Sequence, residues 1–455
     1  MKAKKLFPIW LLTFLSALLY VSCTRTEDVL KCPDCNVILI SIDSLRADHL
    51  GSYGYRKDTS PNIDRFSQDA VLFTRCMVQG TSTLISHASL FTSLIPSHHG
   101  ASFTQKYGLS EDTQTIASIM KENGYATVSF NEGGQLSAKF GMDQGFDVYD
   151  SGPEKRNITD LCFSRIVDKG ISWLEQNPGK KFFMFLHTYG IHHPYTPTRE
   201  YLDLIEPGYE GPLGTSVSVD LIYKVFRGEM TLEDEEKENI VLAYDAEIRR
   251  MDDAFGTLVD FLKKTGLYDN TIIILTSDHG EEFDDHGKIG MHAHTLFNEL
   301  LNVPLIIKLP GSLSAGKVLD PLVASVDISP TVLDLVDLPG FPISDGISLS
   351  AAISGKEQAS GRFLISQRDH PDEFADPRYW AIVSDKWKLY DDRLYDLEND
   401  PGERTDVSGQ HRELKESLAM TALKFMSEKP GEHQRTRSEM DEELIKRLKS
   451  LGYIK

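Results

Sequence analysis

Positive charge is what this sequence has least of. Its 455 residues carry 48 Lys and Arg against 68 Asp and Glu, a formal net charge of −20. Nucleic-acid binding needs clustered Lys and Arg to meet phosphates, so the balance argues against a general nucleic-acid binder. An anionic small molecule would still need local cationic help, from a metal ion or from placed Arg and His. No internal repeat and no low-complexity segment is present, and a 40% hydrophobic content is that of a globular chain. The length exceeds one ordinary domain and points to two or three lobes. Hydrophobic runs long enough to approach a membrane span are lacking, except one at the N-terminus.

That exception has the layout of an export signal. Lys2, Lys4 and Lys5 precede an apolar run from Leu6 to Val21, followed by Ser22-Cys23 and a polar stretch. It resembles a bacterial lipoprotein signal, in which a small residue stands before the cysteine that receives the lipid, here Cys23, although Tyr20 stands where that pattern usually has Leu. The competing reading is an uncleaved anchor helix. The expectation is a chain exported to a bacterial cell envelope, periplasmic or at the surface, and tied to a membrane through its N-terminal lipid.

Cysteine is sparse, five in all. Beyond Cys23, the pair Cys32 and Cys35 forms a CxxC that an exported chain can close as a small disulfide. A redox role is disfavoured, because a strand rather than a helix follows the pair. Cys76 and Cys162 stand alone and read as buried hydrophobes.

Several apolar runs do not alternate. "NVILISIDSL" ends in Asp43, "TIIILTSDHG" in Asp278, "FFMFLH" in His187, and "VPLIIKL" near Pro310. Such runs indicate strands buried on both faces, as in a parallel sheet covered by helices. Between them lie helical patterns, including "DTQTIASIMKENGY", "FSRIVDKGISWLEQN" and a long one that stops at Gly266. This alternation predicts an α/β, doubly wound sheet with helices on both faces. Around residues 312 to 365 Gly, Pro and Ser punctuation takes over; "RYWAIVSDKWKLY" and "RLYDLENDPGE" then read as an antiparallel hairpin, and the tail as a capped amphipathic helix. The expected organisation is a signal at 1–23, a tether at 24–35, an α/β catalytic domain at 36–365 and a small α+β subdomain at 366–455.

In open α/β sheets, ligands sit beyond the carboxyl ends of strands. Asp43 and Asp278 both stand at such ends, and His279 follows directly. One such Asp is as well explained as a helix N-cap. Two at equivalent ends with an imidazole indicate a divalent cation site.

Taken together, "GTSTLISHASLFTSLIPSHHG", "SIDSLRADHLGSYGY", "LHTYGIHHPY", "YDAEI", "SDHGEEFDDHGKIGMHAHTLFNELLNVPLII", "VDISPTVLDL" and "WKLYDDRLYDLENDPGE" resemble, in order and spacing, the sulfatase family of the alkaline phosphatase superfamily, from about Asn36 to the C-terminus. Sulfatases carry C-x-P-S-R, whose Cys or Ser becomes formylglycine. Laid on that cassette, Thr83 falls at the nucleophile, Ile85 at the Pro and His87 at the Arg. Threonine does not fit formylglycine formation, so the resemblance implies a plain alkoxide, as in the phosphoryl-transfer members of the superfamily. Ser82 and Ser86 are rival hydroxyls outside that register. Ser44 stands where many sulfatases have a second Asp. Asp278-His279 replaces the frequent Asp-Asn and is similar to the phosphonate monoester hydrolase relatives.

The resemblance implies further roles. Asp43, Asp278, His279 and Thr83 would hold one divalent cation, Ca²⁺, Mn²⁺ or Mg²⁺ with Zn²⁺ also open, which lowers the hydroxyl pKa. His192 would face the leaving group and donate a proton; His193 beside it reads as a bland, surface position. His292 and His294 would contact the transferred group or hydrogen-bond structurally. His87 would orient the Thr83 loop, Arg46 would stabilise the site carboxylates or be a solvated or structural residue, and His286 is weaker than either. Where sulfatases often place a Lys, this chain has Asn131 or Glu132, so one cationic substrate contact is missing. The expected activity is hydrolysis of a phosphate monoester, diester or phosphonate through a Thr83 intermediate. The alternatives are a sulfuric ester hydrolase on a sulfated glycan or aryl sulfate, an envelope phospho-substituent transferase (disfavoured without multiple membrane spans), and an inactive binding protein. The partner is a small anionic ester or a sulfated or phosphorylated glycan.

Overall fold

The structure is a computed structural model, and it describes residues 30–152, 162–356, 361–370, 372–373, 375–428, 437–438 and 440–451. The expected signal with Cys23, and the tether up to residue 29, lie outside the described residues. No described helix is long and apolar enough to cross a membrane.

The unalternating runs become the centre of a sheet. In chain order its strands are β1 (Asn36–Ile42), β2 (Val71–Met77), β3 (Ala126–Phe130), β4 (Val148–Asp150), β5 (Phe182–Thr188), β6 (Thr271–Thr276), β7 (Asn302–Lys308), β8 (Lys317–Leu319) and β9 (Val323–Ala324). They are ordered β4-β3-β5-β1-β6-β7-β2-β8, with β9 beside β2. Every residue of β1, β5 and β6 is buried, because helices cover both faces. One core packs Val37 and Leu39 with the helix Thr83–Thr92; the other packs Ile38 and Ile40 with the helices Phe163–Gln176 and Asp234–Thr265. Alternate residues of one strand therefore feed opposite cores, which is why the run does not alternate in polarity.

The sheet is mixed rather than parallel throughout. β1 pairs in parallel with β5 and β6, whereas β7 runs antiparallel to both β6 and β2. The expectation of "VPLIIKL" as another parallel strand is corrected here. Burial on both faces makes the same composition in either direction, and the 25-residue connection from β6 to β7, residues 277–301, is long enough for either polarity.

A second, four-stranded antiparallel sheet follows, ordered β10 (Leu364–Gln367), β11 (Trp380–Val383), β12 (Trp387–Tyr390) and β13 (Arg393–Asp396). It carries the helix Arg412–Ser427 on one face, and the chain ends in the described helix Glu442–Ser450, capped by the Asp441 side chain on Leu444 N–H. β10 attaches to the segment that leads into Thr83: Gln367 N–H donates to the Gln79 carbonyl at 2.8 Å, and Ser366 Oγ donates to the Val78 carbonyl at 2.6 Å. Cys32 and Cys35 form a disulfide immediately before β1. Cys76 is buried as expected; Cys162 is half-buried instead, its Sγ 3.0 Å from Ser164 Oγ at the mouth of a helix.

Lys388 on β12 and Glu403 form a fully buried ion pair at 2.5 Å. Glu403 also accepts from Asn298 N–H at 2.7 Å, and Lys388 donates to Asn298 Oδ1 at 3.1 Å, so the pair ties the small sheet to the loop before β7. Removing one partner leaves the other charge buried and uncompensated. Lys388→Met is expected to lower unfolding free energy by roughly 3–5 kcal/mol, read from urea denaturation; a loss under about 1 kcal/mol, the value of an exposed pair, would contradict this.

Candidate active site

β1 delivers Asp43 and β6 delivers Asp278 to the same edge of the sheet, because the two strands are in register from Asn36↔Thr271 to Ser41↔Thr276. Both aspartates are buried. The turn after Asp43 closes on the left-handed Ser44 (φ 58°), whose N–H donates to Asp278 Oδ1 at 3.2 Å while its hydroxyl donates to Asp43 Oδ1 at 2.7 Å. Tyr244, in the "YDAEI" segment, pins that turn by accepting from Arg46 N–H at 2.9 Å and donating to the Ser44 carbonyl at 2.8 Å. His279 donates its backbone N–H to Asp278 Oδ1 at 3.0 Å, and its Nδ1 lies 2.9 Å from the Gly280 carbonyl. That contact makes Nδ1 the donor and leaves the lone pair on Nε2.

Thr83 is the first residue of the helix Thr83–Thr92, whose extended N-cap is Ser82. Its hydroxyl donates to Asp43 Oδ2 at 3.0 Å. The rival Ser86 is turned away, donating to the Asp278 carbonyl at 2.6 Å. Gln135 Oε1 accepts from Leu84 N–H at 2.9 Å and so satisfies one free donor of the helix start. His87 bridges the Thr83 carbonyl (2.8 Å) and Ser41 Oγ on β1 (2.9 Å), locking the helix start to the strand that bears Asp43.

Asp43, Asp278 and His279 place one donor atom each within 4.8 Å of one another. Asp278 Oδ2 and His279 Nε2 face each other at 3.5 Å, both buried and without a hydrogen-bond partner. Two buried carboxyl groups and a ring nitrogen converging on one point are costly alone and fit a divalent cation. The same costs show in their acidity. Burial, then the charge of Asp278, holds the Asp43 carboxyl well above its ordinary range. Burial raises Asp278 to about 7.

Three other expected residues converge beside this cluster, and one does not. His292 stacks on His279 with ring centroids 4.3 Å apart, and His192 lies 4.9 Å from His292. His193, expected at the surface, is only 3% exposed and 4.2 Å from His192. It is drawn inside because Pro194 and Tyr195 fold the segment back under the sheet edge, Tyr195 being fully buried. His192 Nδ1 is 2.6 Å from the His193 carbonyl. Burial, then the neighbouring His193 and His292, pulls His192 well below the usual imidazole range. The ring therefore presents a lone pair, not the acidic proton expected of a donor to the leaving group. His294 lines the same cavity as His193 and His292 but lies over the Phe226 ring at 4.5 Å, half-buried, and pulled down to about 4 by burial and then Arg368.

Arg46 does not touch Asp43 or Asp278. Its guanidinium pairs with Asp48 and Asp285, each at 2.7 Å, and donates to the Glu281 carbonyl at 3.1 Å. The acidic loop "EEFDD" captures it before it reaches the strand ends. His286 is a structural tie, its Nδ1 2.7 Å from Glu299 and its Nε2 3.2 Å from the Glu403 carbonyl. Glu132 accepts from Thr188 Oγ1, Tyr189 N–H and Cys162 N–H at 2.8, 2.9 and 3.0 Å; a loop-holding carboxylate stands where the family often has a Lys. Sequence reasoning missed Glu281, which is fully buried and accepts from Tyr195 Oη at 3.1 Å. The signal was present as the paired acids directly after "DHG". A cavity of about 500 Å³ opens over this assembly, lined among others by Ser82, His193, His292, Phe226, Lys106 and Arg368.

The weakened acidity of Asp278 has a measurable consequence. In the metal-free chain, a carboxyl lifted from 3.8 to about 7 contributes stability that is full below 3.8 and lost as pH climbs through about 7. A bound dication reverses that loss by favouring the ionised form. The rise in Tm on adding a divalent cation is therefore expected to be small below this range and to grow as pH passes about 7. A rise in Tm that is independent of pH, or absent, would contradict it.

The sequence and fold have clear relatives. The family model described as Sulfatase matches residues 35–338, and that for the C-terminal part of N-sulphoglucosamine sulphohydrolase matches residues 287–428. The N-acetylglucosamine-6-O-sulfatase of Bacteroides thetaiotaomicron is 24% identical over 94% of this chain and 93% of its own. In fold, the phosphonate monoester hydrolase of Agrobacterium radiobacter superposes with a TM-score of 0.69 at 21% identity, covering 90% of this chain and 98% of its own. A structure solved with its substrate D-glucosamine-2-N,6-O-disulfate gives 0.70 at 19% identity, covering 88% and 100%. The chain belongs to the sulfatase family of the alkaline phosphatase superfamily and is a hydrolase of sulfate- or phosphate-type esters.

Proposed function

We propose that this chain is a metal-dependent hydrolase of phosphate-type esters that works through a covalent intermediate on Thr83. The observation that carries the reading is the Thr83 hydroxyl resting on Asp43 Oδ2 at 3.0 Å, at the start of a helix and beside a cation-fitting cluster. A hydroxyl needs help to ionise near neutral pH. Asp43, Asp278 and His279 would hold a divalent cation, which would supply that help and charge neutralisation at the substrate.

The chain's own residues do the rest. Asp43 orients the Thr83 Oγ1 lone pairs toward the cavity by taking its hydrogen bond. His87 fixes the helix start on which Thr83 rides, and as a group pulled down to about 3 by burial it does so as a neutral ring. The start of the helix Thr83–Thr92 places the positive end of the helix dipole beside the Thr83 hydroxyl. Lys106 and Arg368 at the cavity wall offer the cationic contacts that a chain of net charge −20 must supply locally. A threonine carries no route to formylglycine as the family makes it, which separates this reading from sulfatase chemistry.

A second reading, a sulfuric ester hydrolase acting on a sulfated sugar, is favoured by the named activities of the relatives and by the aromatic rings of Phe103, Tyr223 and Phe226 in the same cavity. Either substrate reaches the chain in a cell envelope on this reading, with the lipid on Cys23 as tether. The Cys32–Cys35 disulfide supports export, since such bonds persist in oxidising compartments.

The test is a parallel assay of nitrophenyl phosphate, a phosphodiester, a phenylphosphonate ester and nitrophenyl sulfate with each divalent metal. Thr83→Ala is expected to cut turnover of the phosphate-type esters by about 10³-fold or more, with Thr83→Ser retaining a measurable fraction. Sulfate turnover exceeding all phosphate-type turnover would favour the second reading, and activity that survives Thr83→Ala would overturn both the nucleophile and the mechanism.

A further inference from the structure

The point where the chain enters the fold lies at the opposite pole from the candidate active site. Cys32 N–H donates to the Leu335 carbonyl at 2.6 Å, and Lys31 Nζ donates to the Asp334 carbonyl at 2.7 Å and pairs with its carboxylate. The entering segment is thereby pinned to the end of the helix Ile328–Leu335. The disulfide then leads into Asn36, the first residue of β1, while Asp43 follows the last. Seven residues of strand at about 3.3 Å each separate the two edges of the sheet by roughly 23 Å. Entry is at the amino edge; the cavity over His193 and His292 opens at the carboxyl edge.

Two connections border that entry and expose apolar side chains. The Asp334 carboxylate that holds Lys31 also accepts from Ser348 Oγ at 2.6 Å and from Ser350 Oγ, so the segment 337–349 is fastened to the entry point. This segment exposes Ile343 (39%) and Ile347 (42%). The second connection joins β7 to β8. It starts from Lys308, paired with Ile273 near the amino end of β6, and ends at Lys317, paired with Val71 at the start of β2. Lys317 Nζ donates to the Ile353 carbonyl at 3.0 Å, which brings this connection beside the first. Leu313 in it is 54% exposed, and Val318 just after it 65%. These are four of the ten large hydrophobic side chains exposed among the described residues, gathered in two segments at one edge. Single exposed apolar residues need no explanation, whereas a group at one edge marks a contact surface. Along this rim Lys31, Lys317 and Lys356 offset Asp320, Asp334 and Asp337, so it is close to neutral in a chain of net charge −20.

We propose that this rim rests on the surface of a phospholipid bilayer, the one that holds the lipid on Cys23, and that the candidate active site therefore faces away from it. This placement rests on the reading of Cys23 as the lipidated residue and is independent of the nucleophile. From Cys23 to Leu30 is seven residues, a reach of at most about 25 Å. That is enough to set the rim on the headgroups. It is too little to bring the carboxyl edge down, because the straight line through β1 is already roughly 23 Å and the path over the surface is longer. Leucine, isoleucine and valine side chains leave water when they enter the boundary between headgroups and acyl chains. The near-neutral charge spares the rim the repulsion that an acidic surface meets at anionic lipids. The cavity then meets water-soluble esters and envelope polymers, and not the phospholipids of the membrane to which the chain is tied.

The full chain, expressed with its export signal, is reconstituted in vesicles of phosphatidylethanolamine and phosphatidylglycerol that contain a diazirine-bearing phospholipid. After illumination the labelled peptides are mapped by mass spectrometry. Labelling is expected within 309–319 and 337–349, and not in the cavity-wall segments 102–107 and 219–226. Leu313→Asp combined with Ile347→Asp should lower rim labelling by about 5-fold or more, since a charged side chain does not enter the boundary. Met420→Asp, on the exposed face of the helix Arg412–Ser427, should leave it unchanged. Circular dichroism reports the folding of each variant, and the wild-type map decides the matter if the double variant fails to fold. Labelling of the cavity wall or of 412–427 in place of the rim, or no protein labelling with Cys23 acylated, would overturn the proposal. The mass of the N-terminal peptide tests the lipid separately. If Cys23 is bare, the anchoring reading fails by itself: rim labelling by the same vesicles would then uphold the docking face, and its absence would overturn both.

Discussion

Asp43 and Asp278 are held side by side in a place where neither has water and neither has a cationic side chain bonded to it. Two such carboxylates repel, and burial multiplies the cost. Adjacent strands β1 and β6 enforce the arrangement, since their register is fixed by cores on both faces. Much of what surrounds the pair manages its consequences. Backbone N–H groups of Ser44 and His279 donate to Asp278, the hydroxyls of Ser44 and Thr83 donate to Asp43, and Tyr244 clamps the turn between them. On the proposed function, a cation held by Asp43, Asp278 and His279 would complete the site electrically and assist the ionisation of Thr83.

The second sheet belongs to the same economy of positions. β10 hydrogen-bonds the segment at Val78 and Gln79 that turns toward Thr83, so the start of the Thr83 helix is held from both sides: by His87 against β1 and by β10 from the C-terminal lobe. The buried Lys388–Glu403 pair anchors that lobe near the loop that carries His286 and Asn298. A rigid frame of this kind matters because misplacement of a reacting atom by an ångström costs orders of magnitude in rate. The wall of the cavity carries Lys106, Arg368 and the rings of Phe103, Tyr223 and Phe226.

Much of this was legible in the sequence, and the parts that were not share a cause. Unalternating apolar runs gave the central strands, because residues that face two cores cannot afford polarity on either side. The Asp residues at the ends of two of those runs gave the cation cluster, and register against the family cassette singled out Thr83 over Ser82 and Ser86. The reversed direction of β7 was invisible, since burial leaves no mark of strand polarity. For Arg46 the sequence left a structural role open beside the site role, and could not choose between them because the acidic loop 281–285 that captures it lies more than two hundred residues away. His193 looked like a surface neighbour of His192 for the same reason: its contacts with His292 and Glu281 exist only once β5 and β6 lie on either side of β1.

The central claim is that the Thr83 oxygen itself takes the transferred group. The direct measurement is to mix the metal-loaded chain with an activated aryl phosphate, quench in acid within a turnover, and map the modified peptide by mass spectrometry. The account predicts phosphothreonine at residue 83 and an otherwise unaltered threonine there in the resting chain. A phosphate on Ser82 or Ser86, or an oxidised side chain at residue 83 before substrate is added, would contradict it.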